Sequence, residues 1–352
     1  MEISDRDFLI KLLETPSPSG YEQPIQEVVR KRLAGITQDV STDVHGNVIG
    51  AINPSAALRI MLAGHCDQIG LLIQYIDAEG YISVQPIGGW DPMQLIGMRV
   101  TIWTAGGAVP GVMSRKPIHL LTDEERKVVP KMKDLWIDIG AKDKTDAERV
   151  VSVGDPVTLE LRFQPLMGSL AASPAMDDKI GLWVVLEAFR RAAKEPLSCG
   201  LFVVSTVQEE IGLRGAQTSS FGIDPHVAIA VDVTHATDCP TIDKKQSGDI
   251  ALGRGPVVYR GPNMNPRVVE RLLEAGRVAG IPVQIAASGR ATPTDANVLQ
   301  TCRSGVATGL VSVPNRYMHS AVETVCLEDA DRTADLLATF IRSLNEAMSW
   351  IP

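Results

Sequence analysis

Apolar residues Phe8, Leu9, Leu12 and Leu13 fall on one face of a helix, and the break PSPSG at residues 16–20 ends it. A second helical face follows at Ile25, Val28, Val29 and Leu33, with Ser19 and Glu22 at capping-box spacing ahead of it. Short strands are expected over residues 40–52. The runs at 58–64, 201–207, 227–231 and 306–313 are near-continuously apolar, the pattern of strands covered on both faces. Helical patterns over 180–193, 266–279 and 327–348 are interspersed with them, the last carrying Ala334, Leu337, Ile341, Leu344 and Met348 on one stripe. This alternation predicts an α/β fold in which helices flank the sheet.

Residues 69–166 break the pattern. LLIQYI, YISVQPI, RVTIWT and DPVTLEL are short β-rich runs separated by Gly-containing turns, with no long amphipathic helix among them. We expect a discontinuous α/β domain, 1–68 with 167–352, carrying a small β-barrel-like domain over 69–166.

With 352 residues, 45% of them hydrophobic, the chain has room for two domains of ordinary size. A net charge of -8 and a pI near 5.4 argue against a nucleic-acid surface, which draws on clustered Lys and Arg. The charged N-terminal segment does not read as a signal peptide, and no run approaches the roughly 20 apolar residues of a membrane span. A cytoplasmic chain is expected. The cysteines, Cys66, Cys199, Cys239, Cys302 and Cys326, are odd in number and include no CxxC pair, so neither disulfides nor structural zinc is expected.

The candidate chemistry sits where the apolar runs stop. His65 and Asp67 follow the run at 58–64, Glu209 and Glu210 the run at 201–207, Asp232 the run at 227–231, and His319 the run at 306–313. Asp177 and Asp178 open a helical stretch, where the helix dipole keeps a carboxylate ionised. In an open α/β sheet the carboxyl ends of the strands face the ligand crevice. A pair of hydrolytic metals roughly 3.5–4 Å apart needs a bridging carboxylate and further His or carboxylate ligands on each ion. That demand assigns Asp177 as the bridge, His65 and Asp232 to one ion, and Glu210 and His319 to the other. Glu209 is left free as general base. Asp67, two residues beyond His65, is placed to accept the other imidazole N–H, and Asp178 is read as a helix cap.

Singly, each of these groups would be an ordinary solvated or satisfied side chain; their joint placement carries the reading. His45, His119, His226 and His235 lack such placement and are given structural roles. Cys66 should turn away from its neighbours and be a buried thiol. GxSxG, Walker A, GxGxxG and HExxH motifs are absent.

The segments ETPSPSGYE, GHCDQIG, SPAMDDKIG, VQEEIGLRGA, AVDVTHATDCP and RYMHSAVET, in this order along nearly the whole chain, resemble the tetrahedral (TET) aminopeptidases, a dinuclear metallopeptidase family with glutamyl aminopeptidases and endoglucanase-labelled members. The resemblance implies the dinuclear zinc aminopeptidase fold, with a helix-flanked mixed sheet, and the same ligands: His65, Asp177 and Asp232 on one metal, Asp177, Glu210 and His319 on the other, with Glu209 as base. It implies two divalent ions per subunit, zinc first and cobalt or manganese as alternatives, and peptide substrates cut at their N-termini. It further implies that the inserted domain builds dimers and a hollow tetrahedral dodecamer. Lys179, in place of an Arg, and the Thr292–Asn297 stretch, in place of a more Gly-rich loop, depart from the family pattern and bear on side-chain preference. The rival readings are a metal-independent polysaccharide hydrolase, which aromatic content of only 5% disfavours, and a non-catalytic assembly protein.

Overall fold

The computed structural model describes residues 1–352. Helix α1 (Ile3–Leu13) buries Leu9, Leu12 and Leu13, and α2 (Gln23–Ala34) buries Ile25, Val29 and Leu33. The capping box expected at Ser19 and Glu22 does not form: Glu22 is the N-cap residue of α2 and makes no side-chain cap bond. Both side chains are instead drawn toward more distant partners, described below.

Strands β1 (Asp39–Thr42), β2 (Val48–Ile52) and β3 (Arg59–His65) begin a large sheet. The chain then leaves it for β4 (Gly70–Ile76), β5 (Ile82–Ile87), β6 (Arg99–Thr104), β7 (Gly107–Ser114), β8 (Trp136–Asp138) and β9 (Pro156–Leu159). These close into a barrel in the order β4-β5-β8-β7-β6-β9. Ile73, Ile82, Val100, Ile102 and Ile137 belong to a core of the barrel's own, which Ala147 of the short helix α3 (Lys144–Glu148) completes.

Strand β10 (Gln164–Pro165) returns the chain to the large sheet, ahead of the boundary expected at residue 167. It is followed by β11 (Leu170–Ala172), β12 (Gly200–Thr206), β13 (Val227–His235), β14 (Val257–Arg260), β15 (Gln284–Ala287), β16 (Ala307–Arg316) and β17 (Thr324–Cys326). The order is β1-β2-β12-β3-β13-β16-β17-β11-β10, with β14 and β15 branching from β16. Neighbours β12, β3, β13 and β16 are parallel while β2 is antiparallel, so the sheet is mixed as predicted.

Helices α4 (Met176–Ala192), α5 (Arg214–Ile223), α7 (Pro266–Ala279) and α9 (Leu327–Ser343) complete the α/β architecture, with single turns α6 (Lys244–Ser247) and α8 (Ala296–Leu299) between them. Helix α9 stops at Ser343, short of residue 348, yet Leu344 and Met348 still reach the core from the chain beyond it. Helix α4 lies so close to β3 that a Cβ added at Gly64 would meet the backbone of Gly181 and Leu182 at 3.0 Å. That approach brings the start of α4 to the carboxyl ends of the parallel strands. No helix is long and apolar enough to cross a membrane.

Candidate metal centre

His65 is the last residue of β3 and pairs in register with Thr206, the last of β12. Glu209 and Glu210 follow β12, Asp232 lies near the end of β13, and His319 comes just after β16. The parallel strands thus deliver them to one edge of the sheet, and Asp177 meets them from the entry of α4.

Asp177 is shared. His65 Nε2 stands 3.2 Å from its Oδ1, and His319 Nε2 stands 3.3 Å from its Oδ2. Ligand atoms of His65, Asp177 and Asp232 lie within 4.8 Å of one another, as do those of Asp177, Glu210 and His319. Glu209 belongs to neither triad, although its Oε2 is 3.8 Å from His65 Nε2.

The charges are out of balance. Burial and then the neighbouring Asp177 push the Glu210 and Asp232 carboxyls well above the usual range. Glu209 is pushed up by burial, with Asp232, Asp295 and Glu210 adding to the effect against the pull of His65. Burial alone would lower His65, but Glu209 and Asp177 hold it well above its ordinary value. Burial opposes ionisation of Asp177 too, yet the two imidazoles keep it ionised well below the ordinary range. Glu210 Oε1 is buried without a hydrogen-bond partner. Buried carboxylates of this number are ordinarily paired or bound to metal, so the donor set fits a pair of divalent cations.

Asp67 is fully buried, but its role differs in detail from the one expected. His65 Nδ1 is nearest the backbone carbonyl of Asp67, at 3.1 Å, with the carboxylate at 3.5 Å. The carboxylate's shorter bonds come from the N–H groups of Glu209 (3.0 Å) and Glu210 (3.1 Å) and from Ser19 Oγ (2.5 Å). Glu22 accepts the N–H of Gln208 at 3.1 Å. The Ser19–Glu22 segment therefore clamps the loop that carries both glutamates.

Asp178 caps α4 as expected, accepting the Gly181 N–H at 3.2 Å. Lys179 is buried and reaches back to Thr15 O (2.7 Å) and Gln68 Oε1 (2.6 Å); burial lowers it to about 7. Two carboxylates went unpredicted. Asp295 receives Thr206 Oγ1 at 2.6 Å, and Glu323 accepts the backbone N–H groups of Asp177 and His319. Both lie in segments already singled out in the sequence, TPTDAN and RYMHSAVET, which is the signal that could have found them.

A cavity of about 760 Å³ opens beside the cluster, lined in part by Glu209, Asp232, Tyr259, Arg290, Thr292 and His319. Pro293 and Thr294 put the departing loop on the cavity wall. His235, expected to be structural, also lines the cavity. His226 accepts the Arg59 N–H, and His119 lies in a short exposed turn.

A family model described as M42 glutamyl aminopeptidase matches residues 46–336. A lysyl aminopeptidase of Pyrococcus furiosus is 38% identical over 350 residues, covering 97% of each chain. A TET aminopeptidase from Thaumarchaeota archaeon SCGC AB-539-E09 superposes with a TM-score of 0.93 at 32% identity, covering 97% of each chain. The TET1 peptidase of Pyrococcus horikoshii, which can assemble into a tetrahedron or a large octahedral shell, gives a TM-score of 0.86 at 31% identity over 97% of this chain and 100% of its own. Similarity that runs through sequence and fold from end to end means that this chain belongs to the M42 glutamyl aminopeptidase family.

Proposed function

We propose that the chain is a metal-dependent aminopeptidase that removes N-terminal residues from peptides. The observation that carries this reading is the pair of ligand triads sharing Asp177, with Glu209 beside them and in neither. His65, Asp177 and Asp232 would hold one divalent cation; Asp177, Glu210 and His319 would hold the other. Zinc is the first choice, with cobalt or manganese as alternatives, because His/carboxylate sets accept several ions. Bound there, the cations would polarise the scissile carbonyl and lower the pKa of water.

The chain's own groups supply the rest. A peptide's protonated α-amine is drawn to the carboxylate-rich rim, which favours cleavage at the N-terminus. Glu209 is the general base: its carboxylate takes a proton from the attacking water as the carbonyl carbon gains oxygen. The same carboxyl returns that proton to the amine as the C–N bond breaks. Burial favours its protonated form, which suits the second half of that cycle.

Peptide substrates enter through the cavity beside the triads. The six-stranded barrel, with its own core, reads as an inserted assembly domain over 69–166 that would join subunits into dimers and a tetrahedral dodecamer. Ile118, Leu120, Val128 and Val129 are exposed on the excursion between β7 and β8, and similarity to a tetrahedron-forming peptidase supports the same view.

The test is activity on a panel of aminoacyl anilides before and after chelation, with each metal then restored singly. Turnover should vanish on chelation and return with metal. Undiminished hydrolysis by protein shown to be metal-free would overturn the reading.

A further inference from the structure

Glu323 is only 1% exposed, and both of its carboxylate oxygens are engaged by backbone. Oε2 accepts the N–H of Asp177 at 2.8 Å, and Oε1 accepts the N–H of His319 at 2.7 Å. These donors belong to two segments far apart in the chain, each carrying a member of the Asp177–Glu210–His319 triad.

The sheet explains why one residue can reach both. Strand β17 begins at Thr324, which is in register with Ala172 of β11 on one side and Arg316 of β16 on the other. The segment leading to Asp177 leaves the sheet from Ala172, and the segment leading to His319 leaves it from Arg316. Glu323, immediately before Thr324, stands at the node between the two departures.

Neither segment can satisfy its own N–H in regular structure. Asp177 has non-helical backbone angles within α4 (φ -75, ψ 109), and His319 is left-handed at φ 60. A buried N–H in such a position needs an acceptor from elsewhere. Glu323 provides it twice, and in doing so ties the two positions to one rigid group.

We propose that Glu323 is a positioning residue that sets the separation of Asp177 from His319 and thereby holds together the Asp177–Glu210–His319 cation site. The inference rests on the two-cation reading above. The His65–Asp177–Asp232 site depends on Glu323 at one ligand only, so the two sites should respond unequally to its loss. Glutamine keeps the shape but offers one carbonyl oxygen, leaving one N–H facing an amide NH₂. Aspartate keeps the charge but is a methylene too short to span both donors.

The experiment compares wild type, Glu323→Gln, Glu323→Asp and His319→Ala. Metal stoichiometry and affinity are read by chelator competition, and the ligand-field spectrum is read on the cobalt-loaded chains. Loss of an outer carboxylate that orients ligands typically weakens metal binding by about 10–100-fold. Both Glu323 variants should show that loss at one ion, with a spectral change resembling that of His319→Ala, while the other ion stays within about threefold of wild type. Two ions bound at wild-type affinity with unchanged spectra in Glu323→Asp would overturn the proposal. So would equal weakening at both ions, or variants that fail to fold, since each marks a general structural role. A wild-type chain that itself binds fewer than two ions would instead overturn the reading beneath.

Discussion

The Ser19 hydroxyl donates to the Asp67 carboxylate over 2.5 Å, with both residues buried. Asp67 in turn accepts the N–H groups of Glu209 and Glu210, so a serine near the N-terminus acts on the glutamate loop through one intermediary. Ser17 pins the same region by donating to Cys66 O at 2.8 Å. The polar residues of the PSPSG break thus serve as a strap across the site's floor as well as a helix terminator.

Ser19→Ala removes a donor from a buried carboxylate, which should cost about 1–3 kcal/mol of stability. Because Asp67 also locates the glutamates, kcat should fall by about tenfold or more. Urea denaturation and steady-state kinetics measure the two effects. A stability loss with unaltered kcat would confine Ser19 to packing.

Glu209→Gln should keep metal content near normal and reduce turnover by about 10²–10⁴-fold, the usual worth of a general base. Asp177→Ala should behave differently, lowering metal occupancy together with rate, because its two oxygens face two imidazoles. Elemental analysis alongside kinetics separates the variants. Metal loss in Glu209→Gln would make Glu209 a ligand.

What could be read from sequence followed from how self-contained each signal was. Helix α7 was legible to the residue: Asn265 accepts the N–H groups of Arg267 and Val268 at its start, and Gly280 takes φ 65 at its end. The strands carrying His65 and Asp232, and the one that leads to Glu209, were legible because burial on both faces leaves an uninterrupted apolar run. Strands β11 and β17 were not, since three residues carry no periodicity and owe their conformation to their neighbours. Ser19 and Glu22 misled because capping-box spacing is a local pattern, whereas the partners that claim them, Asp67 and Gln208, arrive only through the fold. The segment holding Glu323 stood out, but the residue's role did not, for the same reason: it binds backbone, and no pattern of side chains announces an acceptor for distant N–H groups.

Gly181 is a further residue whose role emerges only in three dimensions. A Cβ there would fall 2.2 Å from Asp178 Oδ1 and 2.4 Å from Oδ2, in the space where Asp178 caps α4. Gly181→Ala should therefore displace the cap, cost about 1–3 kcal/mol through overpacking, and disturb Asp177, the adjacent residue. Thermal melting and metal titration check both consequences. A variant with wild-type melting and metal affinity would show that the cap is dispensable.

Glu22 gives the site's floor a pH dependence whose sign can be worked out. Burial, then repulsion from Asp67, raises its carboxyl from 4.5 to about 7 in the folded chain. A carboxyl raised on folding contributes stability that is fully present below its unfolded pKa and lost as pH climbs through the folded value. Wild type should therefore lose stability from this group between about pH 4.5 and pH 7, on the order of 3 kcal/mol. Glutamine mimics the protonated carboxyl. It can also retain both bonds, because the N–H groups of Gly20 (2.7 Å) and Gln208 (3.1 Å) are both accepted by Oε1. Glu22→Gln should match wild type near pH 5 and exceed it at pH 8, as read from urea midpoints across that range. Parallel stability profiles for the two chains would mean that Glu22 is ionised throughout, held so by the two N–H groups that it accepts.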